Sequence, residues 1–125
     1  MKSTSTRPYD SFVLLSEPSG PPQLVTLSDV TSKGVKVTWG PVPDNDRNGI
    51  IQGYKVNYRA LPNGVIVTEF LNISSKQQDE GGTKTLQTLN EFTNYSIDVL
   101  AFTIIGDGPP SVPKFLRTQE DSKLN

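Results

Sequence analysis

The chain has 125 residues, with 12 basic and 13 acidic side chains that give a formal net charge of −1 at pH 7. That length suits one domain with tails, and ten prolines and ten glycines favour short strands joined by many turns. The balanced charge argues against a nucleic-acid surface, and the longest apolar runs are too short for a membrane span or a signal-peptide core.

The two ends of the chain lack a regular hydrophobic period. Residues 1–20 include a polar Ser/Thr run and close on a cluster of prolines and a glycine, so we assign them to an N-terminal linker or to the tail of a preceding module. A folded domain is expected over residues 21–119. Residues 120–125 are polar and are expected to form a C-terminal linker.

Alternating hydrophobicity predicts three strands in the first half of the domain. Residues 24–30 fit the first strand loosely, whereas residues 35–39 and 51–60 alternate more clearly between apolar and polar side chains. Asn63 and Gly64 predict a two-residue hairpin turn, because both positions of that turn favour positive φ.

Four further strands are expected over residues 65–71, 83–89, 95–101 and 112–118, and Pro113 marks the last of them as an edge strand. Seven short strands without a helical period predict an all-β Greek-key sandwich. The side chains expected to form its core are Trp39, Tyr54, Val56, Tyr58, Leu86, Leu89, Tyr95, Ile97, Val99 and Ala101.

The stretch 89–101, LNEFTNYSIDVLA, predicts a corner followed by a half-buried strand. Tyr95 lies at the mouth of that strand, where its hydroxyl can bond to the backbone a few residues upstream, as in the tyrosine corner of Greek-key sandwiches. In antibody domains a cysteine follows two residues later, but Ile97 occupies that position and the chain contains no cysteine. A sandwich without a disulfide is therefore expected.

The sequence resembles the fibronectin type III family in five ordered motifs. They are PSGPP at 18–22, VKVTWGP at 35–41, NGIIQGYKVNYR at 48–59, LNEFTNYSIDVLA at 89–101 and GDGPPS at 106–111. Each motif is weak alone, but their order and spacing are typical of this fold. The resemblance implies that residues 21–119 form a seven-stranded, immunoglobulin-like fibronectin type III sandwich from a tandem array.

The resemblance also implies a function. It indicates a non-catalytic protein-interaction and spacer module of a multidomain cell-adhesion molecule or cell-surface receptor, with receptor tyrosine phosphatases among the candidates. Such a module would lie outside the cell, contact other proteins and neighbouring modules, need no cofactor, and be a monomer in isolation. Two alternatives stay open: an intracellular scaffold module of a giant muscle protein, and a module of a secreted matrix protein.

Two N-glycosylation acceptor patterns provide the first candidate sites. They are Asn72-Ile73-Ser74 and Asn94-Tyr95-Ser96. The composition alone predicts about as many such triplets, so the number is not an enrichment. Asn72 is expected at the end of a strand, and Asn94 is expected to face solvent beside the buried Tyr95.

A candidate partner surface lies on the strand that follows Tyr95. Leu100, Phe102 and Ile104 fall on its outward register, where a contiguous exposed apolar patch would indicate a binding surface. The alternative is that long side chains such as Lys55 and Arg59 cover them.

The remaining motifs predict no catalytic or metal site. Residues 44–49, DNDRNG, imitate the start of a calcium-binding EF-hand loop, but Lys55 stands where that loop needs a glutamate. The integrin-binding tripeptide Arg-Gly-Asp of some relatives is absent. Without histidine or cysteine the chain lacks the usual nucleophile pairs and zinc ligands. Asp98 and Glu69 are expected to pair with cations across the strands.

Overall fold

A computed structural model describes residues 14–121 of the chain, which form two antiparallel sheets. One sheet has the strand order β1-β2-β5 and the other has the order β4-β3-β6-β7. The predicted all-β sandwich of seven strands is confirmed. The strands are β1 (Gln23–Ser28), β2 (Val35–Gly40), β3 (Gly53–Ala60), β4 (Val67–Asn72), β5 (Gly82–Leu86), β6 (Asn94–Phe102) and β7 (Lys114–Arg117).

The core lies between the two sheets, because β2, β3 and β6 each bury alternate side chains. Trp39 of β2 packs edge to face against Tyr54 of β3. All ten residues expected in the core are buried, and Val25, Val42 and Ile51 join them. Fully burying one such aliphatic side chain contributes about 1.5–3 kcal/mol, so these three residues matter to the stability of the sandwich.

The predicted tyrosine corner is present at the start of β6. The backbone N–H of Asn90 donates a 2.7 Å hydrogen bond to the hydroxyl of Tyr95, whose ring is buried. The same corner is tied to the end of the domain, because Thr118 Oγ1 donates to the carbonyl of Asn90 at 2.6 Å. The predicted edge position of the last strand is also confirmed, since β6 is the one described strand with which β7 pairs.

Part of the segment assigned to the N-terminal linker packs against the sandwich. The N–H of Ser16 donates to the carbonyl of Asn48 at 3.0 Å, and the N–H of Ser19 donates to the carbonyl of Asp46 at 2.8 Å. Thr103 Oγ1 donates to the carbonyl of Ser16 at 2.9 Å. The described part of this segment therefore runs across the end of the domain that carries the β2–β3 and β6–β7 loops.

The first strand is irregular at Leu24, the residue with which the strand expected from the sequence begins. Leu24 has a φ of 56° and is 84% exposed, and the pairing register shifts between Gln23 and Thr26. An irregularity of this kind exchanges the faces on which side chains point. Val25 therefore occupies the core in place of Leu24.

The predicted two-residue hairpin at Asn63 and Gly64 is also wrong. Neither residue has a positive φ, and the paired strands separate after Tyr58 and Val67. Gly64 N–H donates to the carbonyl of Ala60 at 2.7 Å, within a longer connection over residues 61–66. The preceding Pro62 has no N–H for a strand ladder, so the tight pairing that such a hairpin requires stops earlier.

Candidate interaction and glycosylation sites

The four-stranded sheet turns its outer face to solvent, and both acceptor asparagines lie on that face. Asn72 is the last residue of β4 and Asn94 is the first residue of β6, and both side chains are exposed. Asn72 is in register with Gly53 at one end of the sheet, whereas Asn94 is in register with Arg117 at the other end. The two acceptor sites therefore bracket the outer face from opposite ends.

Asn94 is held in place through its oxygen. Arg117 Nε donates to Asn94 Oδ1 at 3.0 Å, while the guanidinium carbon of Arg117 lies 4.9 Å from the ring centroid of Phe92. Among residues 14–121, the side-chain nitrogen of Asn94 makes no hydrogen bond. That nitrogen is the atom to which a glycan is attached, so the geometry leaves the acceptor atom accessible.

The acceptor pattern at Asn72 adjoins a 3₁₀ turn, Ser75–Gln77. Ser74 caps this turn: its hydroxyl accepts from the N–H of Lys76 at 3.3 Å, and the side-chain oxygen of Gln77 accepts from the N–H of Ser74 at 2.8 Å. Such a reciprocal capping box fixes the backbone at the start of the turn. In the folded chain the Ser74 hydroxyl is thus engaged, while the Asn72 side chain points to solvent.

The candidate partner surface on β6 is largely covered at its centre. Leu100 is only 8% exposed, and Lys55 lies opposite it in the register. The ammonium of Lys55 is 5.3 and 5.5 Å from the ring centroids of Phe70 and Phe102, and it forms a 3.0 Å ion pair with Asp107. Leu100 therefore offers little area to a partner, whereas half of the Phe70 side chain stays exposed.

Arg59 takes no part in this covering. Its Nη1 donates to the carbonyl of Pro62 at 3.3 Å, and the residue in register with it on β6 is Ser96. The cover over the apolar side chains of β6 thus comes from Lys55.

The expected outward position of Ile104 on β6 is wrong, because the strand ends at Phe102. The N–H of Thr103 donates to the carbonyl of Gly106 at 3.0 Å, and this bond closes a tight turn that carries Ile104 away from the sheet. Ile104 is 72% exposed at the end of the domain, in an apolar end patch. We define this end patch as the residues Leu15, Ile50, Ile104 and Ile105, which line a cleft of about 190 Å³.

No cation of residues 14–121 pairs with Asp98, contrary to the expectation from the sequence. Thr68 Oγ1 donates to Asn57 Oδ1 at 2.6 Å, and Asn57 Nδ2 donates to Asp98 Oδ1 at 3.0 Å. Burial raises the pKa of Asp98 above its ordinary 3.8, and the hydrogen bond from Asn57 offsets part of that rise. By contrast, Glu69 lies 4.0 Å from the ammonium of Lys84.

Asn57 and Thr68 were missed as neighbours of Asp98 by the sequence reasoning, although a signal for them was present. Both residues fall on outward positions of their strands, and the register places Thr68 opposite Asn57 and Asn57 opposite Asp98. Cross-strand neighbours follow from the register of the strands. The register cannot be read from the sequence when the predicted turn between two strands has the wrong length.

The loop that imitates an EF-hand is organised by an arginine. The guanidinium of Arg47 forms 2.9 Å ion pairs with Asp44 and Asp79, and its Nε donates to the carbonyl of Val42 at 2.8 Å. Within residues 14–121 no group of three or more acidic side chains could hold a metal ion. The same part of the chain contains no helix that is long and apolar enough to cross a membrane.

A three-stranded and a four-stranded sheet, packed together through a tryptophan on the second strand, define an immunoglobulin-like β-sandwich. The family described as Fibronectin type III domain matches residues 20–116. The chain therefore belongs to the fibronectin type III family.

The similar proteins include cell-adhesion molecules and a receptor phosphatase. Protein sidekick-1 of Gallus gallus is 38% identical over 112 residues, which cover 86% of this chain. Cell adhesion molecule DSCAM of Homo sapiens is 38% identical over 104 residues, or 83% of this chain. Receptor-type tyrosine-protein phosphatase F of Bos taurus is 38% identical over 109 residues, or 85%. This chain spans 5% of the length of each of these relatives.

Solved structures show the same fold. The chicken CNTN1 FN1-FN3 domains match 83% of this chain and 33% of that chain, with a TM-score of 0.69 and 24% identity. The third fibronectin III domain of human KIAA0343 protein matches 97% of this chain and 94% of that chain, with a TM-score of 0.67 and 26% identity.

Proposed function

We propose that this chain is an extracellular, non-catalytic module that spaces its neighbours and binds other proteins, within a cell-adhesion molecule or a cell-surface receptor. The observation that carries the proposal is the 38% identity, over most of the domain, to sidekick-1, DSCAM and receptor-type tyrosine-protein phosphatase F. If the parent protein is a receptor phosphatase, the phosphatase chemistry belongs to another part of it.

Two surface features support this role. The acceptor residues Asn72 and Asn94 are both exposed, as glycosylation requires. The end patch lies beside the N-terminal segment that enters the domain, where a preceding module of the same chain would sit. An exposed apolar patch at that position suits contact with a neighbouring module.

The mass of the peptides that contain Asn72 and Asn94 tests the extracellular location. Protein from its native source is digested with and without prior release of N-glycans by an amidase, which converts each glycosylated asparagine to aspartate. We expect this conversion at one or both asparagines. As a matched control, recombinant Asn72→Gln and Asn94→Gln variants from the same type of cell should each lose the glycan only at the substituted position.

Antibody staining of the full-length protein on intact and permeabilised cells separates the alternatives. Staining of intact cells is expected for an adhesion molecule or receptor. Staining only after permeabilisation, together with unmodified asparagine at both positions, would contradict the proposal and favour an intracellular scaffold module. Protein found in the medium and matrix, without retention at the cell surface, would favour a secreted matrix protein.

A further inference from the structure

The outer face of the four-stranded sheet contains a groove, separate from the apolar side chains that Lys55 covers. It lies between β3 and β6 near the β3–β4 connection and has a volume of about 220 Å³. Its polar floor includes Asn57, Ser96 and Asp98, and its apolar walls include Ile66 and Pro110. Ile66 is 68% exposed, so the wall that it forms is open to a partner.

The carboxylate in this groove accepts one hydrogen bond but is only partly satisfied. The chain of hydrogen bonds from Thr68 through Asn57 ends on Asp98 Oδ1. Within residues 14–121, Asp98 Oδ2 accepts no hydrogen bond, and no lysine or arginine lies within ion-pair distance of Asp98. A half-buried carboxylate without a cation is unfavourable unless a partner supplies one.

Neither of the two cations on the outward side of β3 pairs with Asp98. Arg59 lines the groove, but its guanidinium donates to the carbonyl of Pro62. Lys55 lies on the same side of β3, two residues before Asn57, and its ammonium pairs with Asp107. Among residues 14–121, Asp98 is therefore left without a cation, and a cation from a partner could take that place.

We propose that this groove binds an arginine side chain of a protein partner. The planar guanidinium would donate to Asp98 Oδ2, while its methylene stem would pack between Ile66 and Pro110. A guanidinium suits a half-buried carboxylate better than an ammonium does, because it is more weakly hydrated and loses less solvation on entering the groove.

The partner that would use this groove rests on the proposed role as a protein-binding module. The binding of a guanidinium to Asp98 does not depend on that role. Asn94 lies on the same face of β6, four residues before Asp98, which corresponds to about 13 Å along a strand. A glycan at Asn94 would border the groove without occupying its floor. The localisation experiments above do not depend on Asp98, so a failure of the groove and a failure of the proposed location are distinguishable.

Nuclear magnetic resonance titration of the unglycosylated 125-residue chain tests the groove directly. The probe is N-acetyl-arginine amide, and the backbone amide shifts of the ¹⁵N-labelled protein are followed. We expect saturable shifts centred on Asn57, Ser96 and Asp98. The citrulline analogue has nearly the same shape but no charge, and we expect it to bind at least about tenfold more weakly, since a charge-assisted hydrogen bond is lost.

Two variants make the result specific. Asp98→Asn should weaken binding of the arginine probe by about tenfold, and its amide spectrum shows directly whether it is folded. Asp107→Asn removes another carboxylate of the same face, one that is already paired with Lys55, and should leave the affinity unchanged. Equal binding of arginine and citrulline probes, unchanged binding to the folded Asp98→Asn variant, or shifts centred elsewhere would overturn the proposal. Equal binding of the lysine analogue would overturn the assignment of arginine.

Discussion

Trp39 and Tyr54 connect the two sheets at the centre of the core, with ring centroids 5.3 Å apart and planes inclined by 63°. Trp39 belongs to β2 of the three-stranded sheet, and Tyr54 belongs to β3 of the four-stranded sheet. Edge-to-face contacts of this kind add to the burial of the two rings. The pair therefore joins the two sheets at one point of a core that many other buried side chains complete.

Trp39→Ala should lower the free energy of unfolding by about 3–5 kcal/mol, as large aromatic truncations in cores do. The reason is that Trp39 is only 2% exposed, so its removal leaves a cavity between the sheets. Denaturant unfolding measures the change. Phe115→Ala is the matched control, because this aromatic is 65% exposed and its loss should cost less than about 1 kcal/mol. Similar losses in both variants would show that Trp39 is not a core residue.

Tyr95→Phe should lower the free energy of unfolding by about 1–3 kcal/mol, because the part-buried hydrogen bond from the N–H of Asn90 would lose its acceptor. Thermal or denaturant unfolding of the two proteins measures this loss. The ring of Tyr95 stays in place in the variant, so the measurement isolates the hydrogen bond from Asn90.

Tyr54→Phe is the control for the effect of removing a buried tyrosine hydroxyl. Tyr54 is fully buried, and its hydroxyl has no hydrogen-bond partner among residues 14–121. Replacing an unpaired polar group by an apolar one should cost less than about 0.5 kcal/mol or stabilise the fold. If Tyr54→Phe were as damaging as Tyr95→Phe, the tyrosine corner would not explain the loss at Tyr95.

The strands that could be predicted from the sequence are those with one buried face. β2, β3 and β6 alternate apolar and polar residues because one face meets the other sheet and the other meets water. The tyrosine corner was also predictable, because the hydroxyl of a tyrosine at the mouth of such a strand can reach the backbone a few residues upstream. Each of these signals is local in the sequence.

The features that were missed depend on tertiary context. Val42 lies between two prolines in a loop, where no period marks it as buried, yet it is fully enclosed. The burial of Leu100 was expected only as one of two alternatives, and its register opposite Lys55, which the sequence does not fix, decides between them. The polar neighbours of Asp98 come from two other strands, so they appear only when the register is known.

Gly81→Ala should lower the free energy of unfolding by about 2–4 kcal/mol, combining left-handed backbone strain with a steric clash. Gly81 has a φ of +69°, and an added Cβ would strike the carbonyl oxygen of Trp39. Gly106→Ala is the control, since the nearest atom to its added Cβ is Glu17 Cβ at 3.8 Å. Chemical denaturation of both variants should show a near-neutral change at Gly106. A near-neutral result at Gly81 would mean that β2 and the loop before β5 are further apart than the structure shows.

Asp98→Asn should stabilise the fold at neutral pH by less than about 1 kcal/mol, since the group is only partly buried and solvent screens it. Burial raises the pKa of Asp98 in the folded state above its ordinary 3.8. Between these two pKa values the folded chain binds more protons than the unfolded chain, so this residue lowers stability as the pH rises through that window. Below the window the carboxyl is neutral in both states, and its contribution disappears.

Urea unfolding of the native chain and of Asp98→Asn at several pH values tests whether Asp98 lowers the free energy of unfolding as the pH rises. The stabilisation by Asp98→Asn should be smallest near pH 3, grow as the pH rises past the ordinary 3.8, and then level off. Asp107→Asn should instead lower stability at neutral pH, by at most about 1 kcal/mol, because it breaks the surface ion pair with Lys55. A penalty for Asp98→Asn that increases with pH would mean that a cation within the chain already satisfies Asp98. In the expected case Asp98 weakens the fold at neutral pH, as a part-buried carboxylate without a cation should.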